Sequence, residues 1–251
     1  MKKKKLKTYI INFLILISLL FCGYFAFKIY QDNSFFNAPI INQETQKIIT
    51  ANNLNEDKEK LEIKNQVKDY QDIYNNKDIK GILKFPNTEI ETPLVQAKNN
   101  EYYLKHSLDK KKDIRGSTFI DYRTPLKSKQ VNIYGHNSKT VKTPFKELEN
   151  YINKEYYEEH KYFLIDDGIT INKYKIVSVY IDKGLHEHII VKPTNLKDHI
   201  DKLSQSLYKT GEEIDLSDDL VIIQTCWYNP KNSYLIIVSK KVKEVTGNEK
   251  N

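Results

Sequence analysis

Hydrophobic positions follow two different patterns along this chain. Between residues 42 and 75, apolar residues such as Leu61, Val67 and Tyr70 recur at intervals of three and four, which predicts one or two amphipathic helices after a polar spacer. After residue 78, short runs of β-branched and aromatic residues alternate with turn residues. This second pattern predicts many short strands and is typical of a β-barrel or a β-sandwich.

The predicted strands cover residues 80–84, 93–96, 117–121, 130–134, 161–166, 169–182, 187–192, 219–225 and 234–241. Two helical insertions interrupt them. One follows Pro144 and covers residues 145–152. The other covers residues 195–208, where we expect one apolar face formed by Leu196, Ile200, Leu203 and Leu207.

An uncharged apolar run of 19 residues extends from Tyr9 to Phe27. At about 1.5 Å per residue it would span roughly 28 Å as a helix, close to the thickness of a hydrocarbon core. Lysines crowd its N-terminal side, so the positive-inside rule predicts residues 1–8 in the cytoplasm and the rest outside. A cleaved signal peptide is the alternative, but its apolar run is usually shorter and ends at small residues.

These patterns predict a single-pass membrane protein with an extracellular β domain. The expected order is a cytoplasmic basic tail (1–8), a transmembrane anchor (9–27), a spacer with N-terminal helices (28–77), a β-barrel domain (78–243) and a flexible tail (244–251).

The net charge of +7 does not indicate a nucleic-acid-binding protein. Residues 1–28 contain six lysines and no acidic residue, and the remainder carries 34 basic against 33 acidic residues. The basic excess therefore flanks the apolar run and does not form a binding face.

Two cysteines are present, Cys22 inside the apolar run and Cys226 in the predicted exported part. They cannot plausibly meet, so we expect no disulfide. Cys226 follows the apolar run 220–223, which predicts a thiol at the end of a buried strand. Such a thiol is either a small buried side chain or a nucleophile that needs an adjacent base.

His136 is the candidate base. It follows the predicted strand 130–134, Gly135 before it permits a tight turn, and Asn137 could orient a ring nitrogen. A plain surface histidine is the alternative. His186 and His188 stand at alternate positions and could bind a metal, but no further ligand cluster accompanies them. We therefore expect no metal and no cofactor.

Tyr-Gly-His-Asn at 134–137, followed much later by Thr225-Cys226, resembles the sortase signature. Four further segments resemble the same family, namely residues 80–96, 102–104, 116–123 and 143–148. Together they cover about 78 to 241. Class B sortases are the most similar, since they have N-terminal helices and a long helix ahead of the cysteine strand, and residues 42–75 and 195–208 fit those features.

The resemblance implies a closed sortase-type barrel and a cysteine transpeptidase. Such an enzyme cleaves a C-terminal sorting signal of a secreted protein through a thioacyl-enzyme and transfers the acyl group to a cell-wall amine. It implies Cys226 as nucleophile, His136 as acid and base, and Thr225, Asn137 and Ser233 as substrate-binding or oxyanion residues. The partners would be secreted proteins with a sorting motif, a peptidoglycan precursor or crossbridge amine, and the membrane, with no nucleic acid.

One feature of the family is missing. Its catalytic arginine lies eight or nine positions after the cysteine, where this chain has Tyr234 and Leu235. We expect Tyr234 to donate one hydrogen bond without positive charge, or else to be a packing residue. The two arginines, Arg115 and Arg123, precede His136 and could reach in from a loop. A hydrolase with the same dyad and a non-catalytic surface module remain alternatives.

Overall fold

The computed structural model describes residues 12–13, 15–26, 66–183, 193 and 195–242, which fall into two units, 1–62 and 63–251. In the first unit, residues 15–26 are helical, and apolar side chains such as Leu19, Leu20 and Phe21 are exposed. No helix within the described ranges has both the length and the apolar character needed to cross a bilayer. Residues 9–11, 14 and 27 of the predicted anchor lie outside those ranges, and the anchor stays a prediction.

The second unit contains eight described strands, each within two residues of a predicted one. They are β1 (Ile79–Lys84), β2 (Glu91–Val95), β3 (Phe119–Ile120), β4 (Gln130–Gly135), β5 (Tyr162–Asp166), β6 (Ile171–Lys183), β7 (Leu220–Trp227) and β8 (Ser233–Lys241). The predicted strand 187–192, most of the predicted helical region 42–75 and the tail lie outside the described residues.

The strands close into a barrel in the order β1-β2-β3-β4-β7-β8-β6-β5, which confirms the predicted mainly β, closed barrel. Most neighbours pair antiparallel, but β4 and β7 run parallel from Gln130 beside Leu220 to Gly135 beside Thr225. Because the two strands run in the same direction, the residues that follow the last pair of this ladder, Gly135 beside Thr225, lie at the same end of the barrel. His136 and Cys226 are those residues.

Alternation along β7 and β8 separates an interior core from an outer apolar cluster. Val221 and Ile223 point inward with Leu235 and Ile237. The even-numbered positions belong to the outer cluster, which contains Val177, Tyr180, Leu203, Leu220, Ile222, Ile236 and Val238. Because side chains of a strand alternate between its two faces, Cys226 projects on the outer face, in line with Leu220 and Ile222.

The described helices pack against the barrel in two ways. The helices at 66–73 and 196–203 contact its outer clusters, whereas Leu148, Tyr151 and Tyr157, from the helices at 146–152 and 154–159, join the interior core. Helix α1 (Gln66–Ile73) packs Val67 and Tyr70 against Ile79 and Ile82 of β1. Two 3-10 helices follow, Tyr102–Leu104 and Lys146–Ile152, then α2 (Lys154–Glu159) and α3 (Leu196–Leu203). The predicted helix 145–152 is thus a 3-10 helix, and α2 begins behind it because the Asn153 side chain accepts hydrogen bonds from the amides of residues 155 and 156.

The predicted length of the helix 195–208 is wrong, and its predicted apolar face is confirmed only for Ile200 and Leu203, which pack in the outer apolar cluster. The helix ends at Leu203, because the chain after it bonds to β6 through Leu207 N and Val179 O, 2.7 Å apart. Leu196 and Leu207 are about half exposed. The buried residues of α3 are Leu203 and His199, whose Nε2 lies 2.8 Å from Gln130 Oε1.

Candidate active site

Cys226 and His136 lie at neighbouring positions at one end of the barrel. The β4–β7 ladder ends with Gly135 beside Thr225, and each of the two residues comes next on its strand. Neighbouring strands are about 4.8 Å apart, so side chains that leave this edge on the same face can reach one substrate bond. The structure therefore brings together the two residues that the sequence separates by 90 positions.

The imidazole of His136 is held by a backbone carbonyl. Its Nε2 lies 2.8 Å from the oxygen of Leu104, in the segment before β3. A carbonyl oxygen can only accept, so Nε2 carries the hydrogen and Nδ1 is the basic nitrogen of the neutral ring. The Leu104 carbonyl, rather than the Asn137 side chain, fixes the ring. This contact cannot be predicted from the sequence, because every residue has a backbone carbonyl.

Gly116 supports the other side of this ring. It has a φ of +59°, and a Cβ at this position would lie 3.0 Å from His136 Cδ2 and 2.5 Å from Tyr103 O. The missing side chain lets the loop before β3 pass directly against the imidazole.

Gly135 has a different role from the turn that the sequence suggests. A Cβ on Gly135 would lie 2.5 Å from the Phe145 ring, so close packing explains the glycine.

Cys226 is half-buried and carries a free thiol. Burial raises the pKa of this thiol above its ordinary value, because the thiolate loses hydration. At neutral pH the resting group is therefore the thiol, and attack on a substrate requires transfer of its proton to a base.

Tyr234 stands directly opposite Cys226 on the β7–β8 ladder. Residues opposite each other on an antiparallel pair project from the same face, so the tyrosine and the thiol share the outer face of the barrel. Tyr234 is partly buried and its ring packs against the outer apolar cluster. The position thus supports both sequence hypotheses for Tyr234, a hydroxyl near the thiol and a packing contact.

Both arginines are bound to carboxylates two residues earlier in the chain. Arg115 Nη2 lies 2.8 Å from Asp113 Oδ2, and Arg123 Nη2 lies 2.7 Å from Asp121 Oδ2. Asp121 is fully buried, which alone would raise its pKa, but hydrogen bonds from Arg123, Asn100 and Tyr134 together lower the pKa to about 2. These ion pairs stabilise the loops beside β3 and direct both guanidinium groups to carboxylates of their own loops.

The three predicted substrate-binding residues surround the site, but their side chains are buried and bonded within the protein. Thr225 Oγ1 donates to Gly135 O at 2.8 Å, and Ser233 Oγ donates to Pro230 O at 2.6 Å. Asn137 is 1% exposed, and its amide donates to Glu149 Oε1 and to Cys226 O. Their contribution to substrate binding stays a prediction.

Within the described residues, no group of three or more His, Cys, Asp or Glu side chains is arranged to hold a metal ion. His186 and His188 lie outside that part of the chain.

Comparison with known proteins agrees with this geometry. The chain is 32% identical over 171 residues to sortase B of Listeria monocytogenes, which covers 66% of this chain and 68% of that protein. The chain belongs to the sortase B family. It is therefore a class B cysteine transpeptidase, as the Tyr-Gly-His-Asn and Thr-Cys segments predict. No model of a protein family matches the sequence.

Solved sortase B structures share the barrel. A cysteine-to-serine variant of Clostridium perfringens sortase B superposes with a TM-score of 0.64 at 26% identity, over 70% of this chain and 86% of that one. Staphylococcus aureus sortase B superposes with a TM-score of 0.66 at 24% identity, over 80% of this chain and 94% of that one, a likeness that concerns the fold.

Two further residues of this sortase B contact Asn137 and were not predicted from the sequence. Tyr228 follows Cys226 by two positions, and its hydroxyl donates to Asn137 O while Lys139 Nζ lies 4.9 Å above its ring. Glu149 belongs to the 3-10 helix 146–152 and accepts from the Asn137 amide at 2.7 Å. Tyr228 could have been noted from its spacing to Cys226, whereas Glu149 reaches the site only through folding.

Proposed function

We propose that this sortase B cleaves a C-terminal sorting signal of secreted proteins through a thioacyl-enzyme on Cys226 and transfers the acyl group to a cell-wall amine. The observation that carries the proposal is the parallel β4–β7 register, which sets His136 beside Cys226 at the same end of the barrel. A rigid strand and a carbonyl-anchored ring hold the two groups, which is the arrangement that nucleophilic catalysis requires.

In the first step the thiol of Cys226 transfers its proton to Nδ1 of His136. The sulfur attacks the carbonyl carbon of the scissile peptide bond, and a tetrahedral oxyanion forms. The carbon–nitrogen bond then breaks, and the imidazolium returns the proton to the leaving amine. The product of this half-reaction is a thioester with Cys226 and a released C-terminal fragment.

In the second step an acceptor amine attacks the thioester. His136, again neutral, removes a proton from the amine. The carbon–sulfur bond then breaks, the new amide is released, and the imidazolium returns the proton to the Cys226 sulfur, which restores the thiol. Staphylococcus aureus sortase B has been solved with a substrate and with triglycine, a peptide that carries a primary amine. That precedent supports a peptidyl amine as acceptor for this chain.

Tyr234 is the proposed side-chain donor to the oxyanion. Its position opposite Cys226 supports a role that an arginine has in the family, although a neutral hydroxyl stabilises negative charge less than a guanidinium does. We therefore expect a slower enzyme than one with an arginine at this position.

The proposed location is the outer face of the cell membrane, with the N-terminus in the cytoplasm. The uncharged run Tyr9–Phe27 and the preceding lysines support it. Substrate and acceptor would both meet the enzyme at that surface.

The test uses full-length protein and a library of candidate sorting peptides, each with a fluorescent reporter. Wild-type protein should form a covalent adduct whose mass equals the acyl fragment on Cys226, and added triglycine should divert the product from free acid to the amide. Cys226→Ala should give no adduct. An adduct in the Cys226→Ala protein would contradict the assignment, and exclusive formation of free acid would indicate a hydrolase.

A further inference from the structure

The strands β4 and β7, which pair in parallel, end at different points of their ladder. β4 ends at Gly135, whereas β7 continues to Trp227. The carbonyl of Cys226 therefore lies beyond the last paired residue of β4, and the side-chain amide of Asn137 donates to it at 3.1 Å. A side chain thus bonds the nucleophile's own peptide group at the point where β4 no longer pairs with β7.

The orientation of this amide is determined by its two partners. Asn137 Nδ2 lies 2.7 Å from Glu149 Oε1 and 3.1 Å from Cys226 O, and both oxygens are acceptors. The NH2 group must therefore face them, and a flipped amide would place three acceptors together. Asn137 Oδ1 is buried and has no hydrogen-bond partner in the described part of the chain.

Further contacts hold Asn137 from both sides. The hydroxyl of Tyr228 donates to its backbone carbonyl, so the segment 226–228 contacts residue 137 twice. Glu149 is itself fixed, because Lys146 pairs with its other oxygen at 2.7 Å and the neighbouring Leu148 is fully buried. We name Asn137, Glu149 and Tyr228 the nucleophile clamp.

We propose that the nucleophile clamp positions Cys226 against His136, with Asn137 as the central positioning residue. Asn137 directly follows His136, so one short segment contains the base and also donates a hydrogen bond to the backbone carbonyl of Cys226. The clamp thereby couples the two reacting side chains after β4 and β7 have stopped pairing. This inference rests on the proposed function for its kinetic consequence.

Contact with substrate is a poor alternative explanation for Asn137. Its side chain is 1% exposed and both amide hydrogens are engaged inside the protein. A positioning residue should therefore alter turnover and leave substrate affinity almost unchanged, because displacement of a reacting group by about 1 Å can cost on the order of 100-fold in rate.

The experiment compares full-length wild-type protein with Asn137→Ala, Glu149→Ala, Glu149→Gln and the Asn137→Ala/Glu149→Ala double variant. Glu147→Ala is the matched control, since this carboxylate lies on the same 3-10 helix and accepts from Glu89 N and Tyr156 OH instead of residue 137. Each protein is measured for kcat and KM with the sorting peptide, for thermal unfolding, and for the pH dependence of Cys226 alkylation by peptide mass spectrometry.

We expect kcat to fall about 10- to 100-fold in Asn137→Ala and Glu149→Ala, with KM changed less than about threefold. The double variant should be no slower than the slower single variant, because both substitutions break one unit. Glu149→Gln keeps an acceptor for the amide and should recover most of the lost turnover. Glu147→Ala should keep the wild-type kcat even if its unfolding temperature falls.

Alkylation provides a readout that needs no substrate. Release of the clamp should expose the thiol, so the alkylation midpoint of Cys226 should move to lower pH in Asn137→Ala and not in Glu147→Ala. A wild-type kcat together with an unchanged midpoint in Asn137→Ala would overturn the clamp. So would equal losses of kcat in Glu147→Ala and Glu149→Ala. A wild-type protein that forms no thioester would instead refute the proposed function, and the alkylation midpoints would still decide the clamp.

Discussion

Cys226 and Tyr234 face each other across the β7–β8 ladder, eight positions apart in sequence and on the same face of the barrel. The loop between the strands is short, so the partner of the thiol on β8 is determined by the register. In this sortase B the residue opposite the thiol is a tyrosine, whereas the family usually has an arginine near this position.

Replacing Tyr234 with Phe tests whether its hydroxyl stabilises the oxyanion. We expect kcat to fall about 10- to 100-fold with a small change in KM, because loss of one oxyanion donor destabilises the transition state more than the bound substrate. Tyr180→Phe is the control, since Tyr180 belongs to the same outer apolar cluster but lies opposite Ile236. Equal turnover in Tyr234→Phe and wild type would identify Tyr234 as a packing residue.

Gly116→Ala should displace the His136 ring and thereby slow catalysis. The new Cβ would contact Tyr103 O and the imidazole, and the φ of +59° adds backbone strain of about 1–3 kcal/mol. We expect at least a 10-fold loss of kcat besides lower stability. Gly211→Ala separates these effects, because Gly211 has a φ of +75° and no atom within 4 Å of the added Cβ. Kinetics and thermal unfolding of both variants check this, and a matching loss of kcat in Gly211→Ala would argue against a specific effect on His136.

Alkylation of Cys226 should require a higher pH than alkylation of an ordinary cysteine. Burial raises the pKa of the thiol, so the thiolate fraction at neutral pH is smaller than in a free cysteine, whose pKa is about 8.5. Alkylation of Cys226 in the folded protein should therefore reach half its maximal rate at a higher pH than alkylation of a model peptide or of unfolded protein. A midpoint below that of the peptide would indicate a stabilised thiolate and contradict this expectation.

His199 should make the protein less stable in mild acid. Burial, with a contribution from Lys202, lowers the pKa of His199, and the ring bonds Gln130. Folding thus favours the neutral ring, so its contribution to stability is complete above the unfolded pKa of about 6.5 and is lost as pH falls through the lower folded pKa. The drop in unfolding temperature between pH 7.5 and 5.5 should be smaller in His199→Gln than in wild type. An equal drop would show that other groups cause the pH dependence.

The strands of this protein were predictable from local pattern. Alternation and β-branched runs locate all eight described strands within two residues. A strand that is buried on one face repeats with a period of two, and a strand buried on both faces, such as β7, is continuously apolar. The insertion 195–208 was less predictable. Its apolar spacing suggests a longer helix, but hydrogen bonds between residues 205–207 and β6 end it at Leu203.

The candidate nucleophile and base were also visible in sequence, since a solitary thiol and a histidine each follow an apolar strand. Their partners were not. Leu104 acts through a carbonyl that every residue type possesses. Asn137 was visible as a candidate, but its bonds to Cys226 O and to Glu149 exist only because folding sets the end of β4 beside β7.

By itself, the sequence determined which residue types are available for chemistry and where strands form, because both depend on side-chain identity and local periodicity. Only the tertiary structure decided which nitrogen of His136 is the base, which residue faces the thiol and what holds its peptide. Those properties depend on strand register and on backbone groups brought together from distant parts of the chain.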